Sequence, residues 1–146
     1  MEENKKMIKD EIMSKVGMFS FLIGITIAVL LGLTEAWMKI DGNPETMPIF
    51  TSNISGTIAW ILIVIGIVIG LLTVLGEGTI TKKEIPGFLI AGIALLVMYA
   101  VFKDLPSNLN GIKEIMESIS FTLAIFVGPI VVFLALKAVW DIGKDV

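Results

Sequence analysis

The sequence has no cysteine, no histidine and no arginine; all 11 of its basic residues are lysine. Without thiols it can form no disulfide and offers no thiolate nucleophile, and without imidazoles it lacks the usual acid–base group near neutral pH. A Cys/His zinc site is excluded for the same reason. The missing guanidinium groups remove the bidentate forks that usually grip phosphates. With a net charge of −3 and a pI near 4.9, the chain is also a poor match for a polyanion. Nucleic acid is therefore not an expected partner. Charge of either sign is scarce, at 17% of 146 residues against roughly 25% in an ordinary soluble domain.

What fills the chain instead is apolar sequence, 55% of it. Four stretches dominate, at about 16–38, 55–75, 86–104 and 119–140. Crossing a hydrocarbon core of about 30 Å takes roughly 20 helical residues. All four meet or approach that length, and they are apolar all round. A secretory signal is a poor reading of the first. Its apolar run exceeds the ~7–15 residues of a signal core, and it closes in Thr34-Glu35-Ala36-Trp37, which is no cleavage site.

The lysines set an orientation. Lys5, Lys6, Lys9, Lys15, Lys82, Lys83, Lys137 and Lys144 fall on one side of the four spans, and only Lys39, Lys103 and Lys113 on the other. The positive-inside rule then places both termini and the 76–85 connection in the cytoplasm. Trp37, Trp60 and Tyr99 come to the outer interface and Trp140 to the inner one. The expected fold is all-α: a single domain over 1–146, a polytopic membrane protein with four transmembrane helices in an antiparallel bundle. Short amphipathic helices are expected before the first and fourth spans.

The first of these covers residues 2–15, with Met7, Ile8, Glu11, Ile12 and Lys15 on or beside one face. It reads either as an interfacial helix or as an extension of the first span. The second carries Ile112, Ile115, Met116 and Ile119 at helical spacing, with Lys113, Glu114 and Glu117 opposite. The outer loop 41–54 is rich in turn residues, places Ile49 and Phe50 near the interface, and ends in Asn53-Ile54-Ser55, a glycosylation acceptor pattern. Gly76-Glu77-Gly78-Thr79 ends the second span, and Thr81-Lys82-Lys83-Glu84 matches a capping box for the third helix, with Pro86 in its first turn. Gly-x-Gly without a strand–turn–helix context is no nucleotide motif, and no cofactor is expected.

Small residues recur on every span. Gly17, Gly24 and Gly32 mark the first. Gly56, Ala59, Gly66 and Gly70 form a stripe on the second, with Gly66 and Gly70 in a GxxxG. Gly87 with Ala91, and Ala124 with Gly128, make small-xxx-small pairs on the third and fourth. Lipid tails give no hydrophobic drive for helix association, so close approach at small residues must supply the contact. Gly24, Gly66, Gly70 and Gly128 are the expected packing positions, within one chain or between copies. Pro129, near the centre of the fourth span, is expected to kink it, since it cannot donate to the Ile125 carbonyl.

Ionisable groups within spans are few. Glu35 and Lys39 have the favourable Glu-then-Lys helical spacing, as an interfacial pair or, in a multi-copy assembly, a charged ring at a pore mouth. Lys137 is placed to snorkel to the inner headgroups.

The stretch Gly66–Leu96, with its GxxxG, its Thr-Lys-Lys-Glu turn and the opening Phe88-Leu89-Ile90-Ala91, resembles small uncharacterised four-span membrane proteins of archaea. That resemblance implies topology and source and brings no activity with it.

These features point to a non-enzymatic membrane protein that works by assembly, in the cell membrane of a prokaryote. It would be a self-associating unit or an accessory subunit, with membrane lipids and a homo-oligomer or other membrane subunits as partners. A subunit of an oligomeric ion or small-solute channel is the alternative; Thr26, Thr57, Thr73 and Thr122 would then line a pore between copies. The missing cysteines make topology easy to test. In intact cells an impermeant thiol reagent should label an Asn43→Cys variant and leave Gly78→Cys and Asp145→Cys unlabelled until the membrane is opened; the reverse pattern would invert the assigned orientation.

Overall fold

The computed structural model describes residues 1–41, 53–75, 84–106 and 111–144, without the side chains of residues 13, 14, 17 and 53–56. The outer-loop residues Ile49 and Phe50, the 76–79 turn and Thr81–Lys83 lie outside this description, as do the contacts of Gly17, Gly56 and Asn53. All regular structure among the described residues is helical: α1 (Glu2–Asp41), α2 (Asn53–Val74), α3 (Ile85–Lys103) and α4 (Ile112–Lys144). Each is long and apolar enough to cross a membrane, over Met18–Asp41, Thr57–Val74, Ile85–Lys103 and Ile112–Lys144.

The two amphipathic segments are not separate elements. Residues 2–15 continue without a break into the first span, making α1 a 40-residue helix about 60 Å long. No proline interrupts this stretch, so the hydrogen-bond ladder runs through. Likewise α4 starts at Ile112 and passes straight into the fourth span. Gly111, at φ +91°, makes the turn that opens it, and its N–H donates to the Glu114 carboxylate at 2.7 Å. This is the back-reaching half of a capping box, one helical turn from the cap. At α3 the expected box reaches back to Thr81, outside the described residues. Glu84 itself stands at the N-cap, three positions short of the first-turn site the motif requires, and Pro86 follows within the first two helical positions.

The helices do not pack as successive neighbours around a ring. α4 lies at the centre and is contacted closely by each of the other three, while α1 touches α2 only lightly and α2 and α3 make no close backbone approach among the described residues. Registers follow from the contacts. Gly24 faces Phe126, Gly32 faces Ile119 and Lys39 reaches Glu117, so α1 runs antiparallel to α4. Gly66 faces Phe126 and Gly70 faces Ile130, so α2 runs parallel to it. Gly92 faces Val131 and Tyr99 stacks on Phe121 at 5.1 Å, which makes α3 antiparallel.

Glycine notches produce these contacts. A methyl group at Gly24 would overlap the Phe126 ring, one at Gly66 the Phe126 carbonyl oxygen, and one at Gly92 the Val131 side chain. At Gly32 it would sit 2.7 Å from the Ile119 Cα, and at Gly70 3.2 Å from the Ile130 Cα. Phe126 is thus received by α1 and α2 together, with Phe21 beside it at 5.9 Å and Phe88 beyond at 5.8 Å from Phe21. The fully covered core is Ala28, Leu62, Phe126, Ile130 and Leu134.

Two expectations about small residues change. A side chain at Gly128 would meet nothing within 4 Å, and the same holds for Gly87, while Ala91 is exposed. On α3 the contact falls to Gly92, one position on. On α4 the residues at the Gly24, Gly66, Gly70 and Gly92 notches are large, because the notches lie on its partners. Pro129 sits inside α4 without dividing it, near the Gly66 notch.

Replacing Gly66 and Gly70 together by Ile should therefore leave insertion intact but lower stability by about 3 kcal/mol or more, since each change overpacks a backbone contact. A Gly128→Ala variant should melt within a degree or two of the parent. Thermal unfolding in detergent reads both.

Candidate functional site

In an apolar helix cluster the chemistry can only reside where polar groups collect, and here they collect at two levels of α4. Glu117 and Lys137 are 20 residues apart on that helix, about 30 Å along its axis. That equals the thickness of a hydrocarbon core.

The first level lies between α1 and α4. Glu35 is buried, at 3% exposure, and its carboxylate accepts from the Lys39 ammonium at 3.3 Å, one turn along the same helix. The same ammonium lies 3.6 Å from the Glu117 carboxylate on α4. Lys39 thus stands between two acids at distances longer than the ~2.7–2.9 Å of a closed charge-assisted bond. Behind this triad the α4 side is hydroxylic: Ser118 and Thr122 are both buried.

Ile112 and Met116, apolar residues of the 112–120 segment, are not the ones that face α1. Both are exposed. The Gly32 notch brings the two backbones so close that only small side chains fit there, and serine and threonine occupy the seam. Thr122 bonds the Ser118 and Ile119 carbonyls of its own helix at 3.1 Å. Two buried oxygens remain unpartnered among the described residues: Oε2 of Glu35 and Oγ of Ser118.

The second level is at the opposite end. Lys137, expected to snorkel outward, donates instead to the Val74 carbonyl at 2.7 Å and more weakly to that of Thr73. It satisfies carbonyls that a helix C-terminus leaves open and places a cation at the negative end of the α2 dipole. Beyond it, Lys144 lies 5.4 Å from the Trp140 ring centre. A groove of about 480 Å³ runs here between Val74, Phe133, Lys137, Trp140 and Lys144. A smaller groove of about 260 Å³ in mid-bundle, walled by Phe21, Ile25, Phe88, Leu123 and Val127, is wholly apolar.

The threonines that would line a pore do not share a surface. Thr73 and Thr122 are buried, each bonded to a carbonyl of its own helix, while Thr26 and Thr57 are exposed elsewhere. Glu35 is turned inward against α4 and away from any rim between copies. Of the singled-out residues, the structure joins Glu35 and Lys39 and adds Glu117 and Ser118, which the sequence reading had not attached to them. The signal was present: Ser118 and Thr122 are four residues apart, a spacing that puts both on one helix face. No group of three acids, His or Cys suited to a metal ion occurs among the described residues.

No protein-family model, curated protein or solved structure matches the chain.

Removing Lys39 should expose the energetics of the first level. A Lys39→Met variant leaves the Glu35 carboxylate buried without its counter-ion and should lose about 3–5 kcal/mol. A Lys137→Met variant forfeits charged bonds at a helix end and should lose about 1.5–3 kcal/mol. Melting midpoints in the same detergent rank the two.

Proposed function

We propose that the chain is a non-enzymatic multi-pass protein of a prokaryotic cell membrane, a self-associating unit or an accessory subunit, with both termini cytoplasmic. The observation that carries this reading is the N-terminal part of α1. Every described side chain from Met1 to Phe19 is exposed, including Met7, Ile8 and Ile12. From Glu2 to Val16 that is about 22 Å of helix with no cover from the other described residues. A lone helix of that length is marginal in water and is stabilised chiefly by tertiary packing of its apolar side. The Lys15–Glu11 pair at 2.8 Å, between two exposed side chains, adds only a few tenths of a kcal/mol. A partner subunit or second copy alongside this segment supplies what the fold does not.

The glycine stripe no longer supports self-association, because Gly66 and Gly70 are spent on α4 within the chain. The separate placement of the threonines likewise leaves the channel reading without a polar lining. The remaining polar groups at the two ends support a membrane frame about 30 Å thick, with Trp37, Trp60 and Tyr99 toward one face and Trp140 toward the other. The outer face is then the side of Glu35 and Glu117.

Native mass measurement and cross-linking in mild detergent test the proposal. The full chain should run as an oligomer or with a co-purifying subunit, and deleting residues 2–12 should abolish that association while leaving the melting midpoint within a few degrees. A strictly monomeric full chain with no companion would overturn it.

A further inference from the structure

We propose that the space between Glu35 and Ser118, at the α1–α4 seam, binds one small monovalent cation. Three observations converge there. The first is charge: two carboxylates, Glu35 and Glu117, share the single ammonium of Lys39, which among the described residues is the one base within ion-pair reach of either. With both acids ionised the cluster carries a net charge of −1, in a place where Glu35 is almost fully covered. An uncompensated buried charge is costly, and such sites recruit a partner.

The second is unspent valence. Glu35 Oε2 and Ser118 Oγ are both buried and, among the described residues, both without a hydrogen-bond partner, and they do not bond each other. Glu35 lies one turn beyond Gly32 on α1, and Gly32 faces the Ser118 carbonyl on α4. The two unpartnered oxygens therefore belong to one layer of the seam. Buried polar groups in folded proteins are nearly always satisfied, so two in a single layer call for a further species between them.

The third is the chemistry of the donors. They are all oxygen, which suits hard cations. The deficit is one charge, and no third acid joins the pair among the described residues, so a divalent ion is not matched. A bound cation would take Glu35 Oε2 and Ser118 Oγ as ligands, with the free Glu117 carboxylate oxygen at its mouth. Lys39 and Glu117 keep about a quarter of their side-chain surface exposed, which gives the ion a path from outside.

The test uses the full chain in detergent, with sodium as the probe and choline, too bulky for the seam, holding ionic strength constant. Raising sodium from none to about 0.3 M should raise the melting midpoint by about 4–8 °C along a saturating curve. Ser118→Ala removes one ligand and no charge; it should fold normally and need at least tenfold more sodium for the same shift. Glu35→Gln should abolish the response. Equal midpoints in sodium and choline would overturn the proposal, leaving a proton or a water between the two oxygens. A sodium response undiminished in Ser118→Ala would overturn it as well, by placing the ion elsewhere. Neither result bears on association through the α1 extension.

Discussion

Everything in this fold depends on how closely three helices can approach α4. In a bilayer the tails are as apolar as the side chains, so helix faces gain little from leaving lipid, and contact must come from fit. The glycines at 24, 32, 66, 70 and 92 provide it, each opening a notch that a residue or the backbone of α4 fills. Phe126 illustrates the economy of the arrangement, since its ring occupies the α1 notch while its own carbonyl lies in the α2 notch. The close α1 seam then dictates the next layer. Where Gly32 meets Ile119, only hydroxyl-sized neighbours fit, and those hydroxyls create the one strongly polar interior.

The polar levels in turn frame the apolar zone. Lys137 closes the α2 terminus at one end, and Lys39 bridges two acids at the other, with about 30 Å of α4 between. Each lysine satisfies partners within the protein, so both contribute to helix positioning as well as to topology. Two of the lysines counted for the expected orientation, Lys39 and Lys137, also fasten helices to one another.

Helix number and type were legible in the sequence because they follow from run length, and Val74 and Lys103 end α2 and α3 within a residue of the expected spans. Gly24, Gly66 and Gly70, singled out as small residues, stand at close approaches to α4, whereas Gly128, chosen on the same ground, meets nothing within 4 Å. What could not be read was which helix faces which. Runs that are apolar all round carry no directional signal, so Gly128 and Gly92 could be told apart only by their neighbours. The same lack hid Ser118 as a neighbour of Glu35, because 83 residues separate them and hydroxyls suit several positions on a helix. Lys137 was misjudged for a related reason: its acceptors are backbone carbonyls, which have no sequence signature. The continuity of α1 needed the structure as well, because an amphipathic pattern says nothing about a break.

The central helix also follows its three partners in the chain. As the chain is synthesised from its N-terminus, α1, α2 and α3 emerge with almost no surface for one another, their notches facing only lipid. Glu35 at that stage has Lys39 but none of the cover that α4 provides. Close packing therefore waits for α4. The arrival of residues 112–144 closes all three interfaces at once, and a chain stopped before that point would hold three helices with very few of their tertiary contacts.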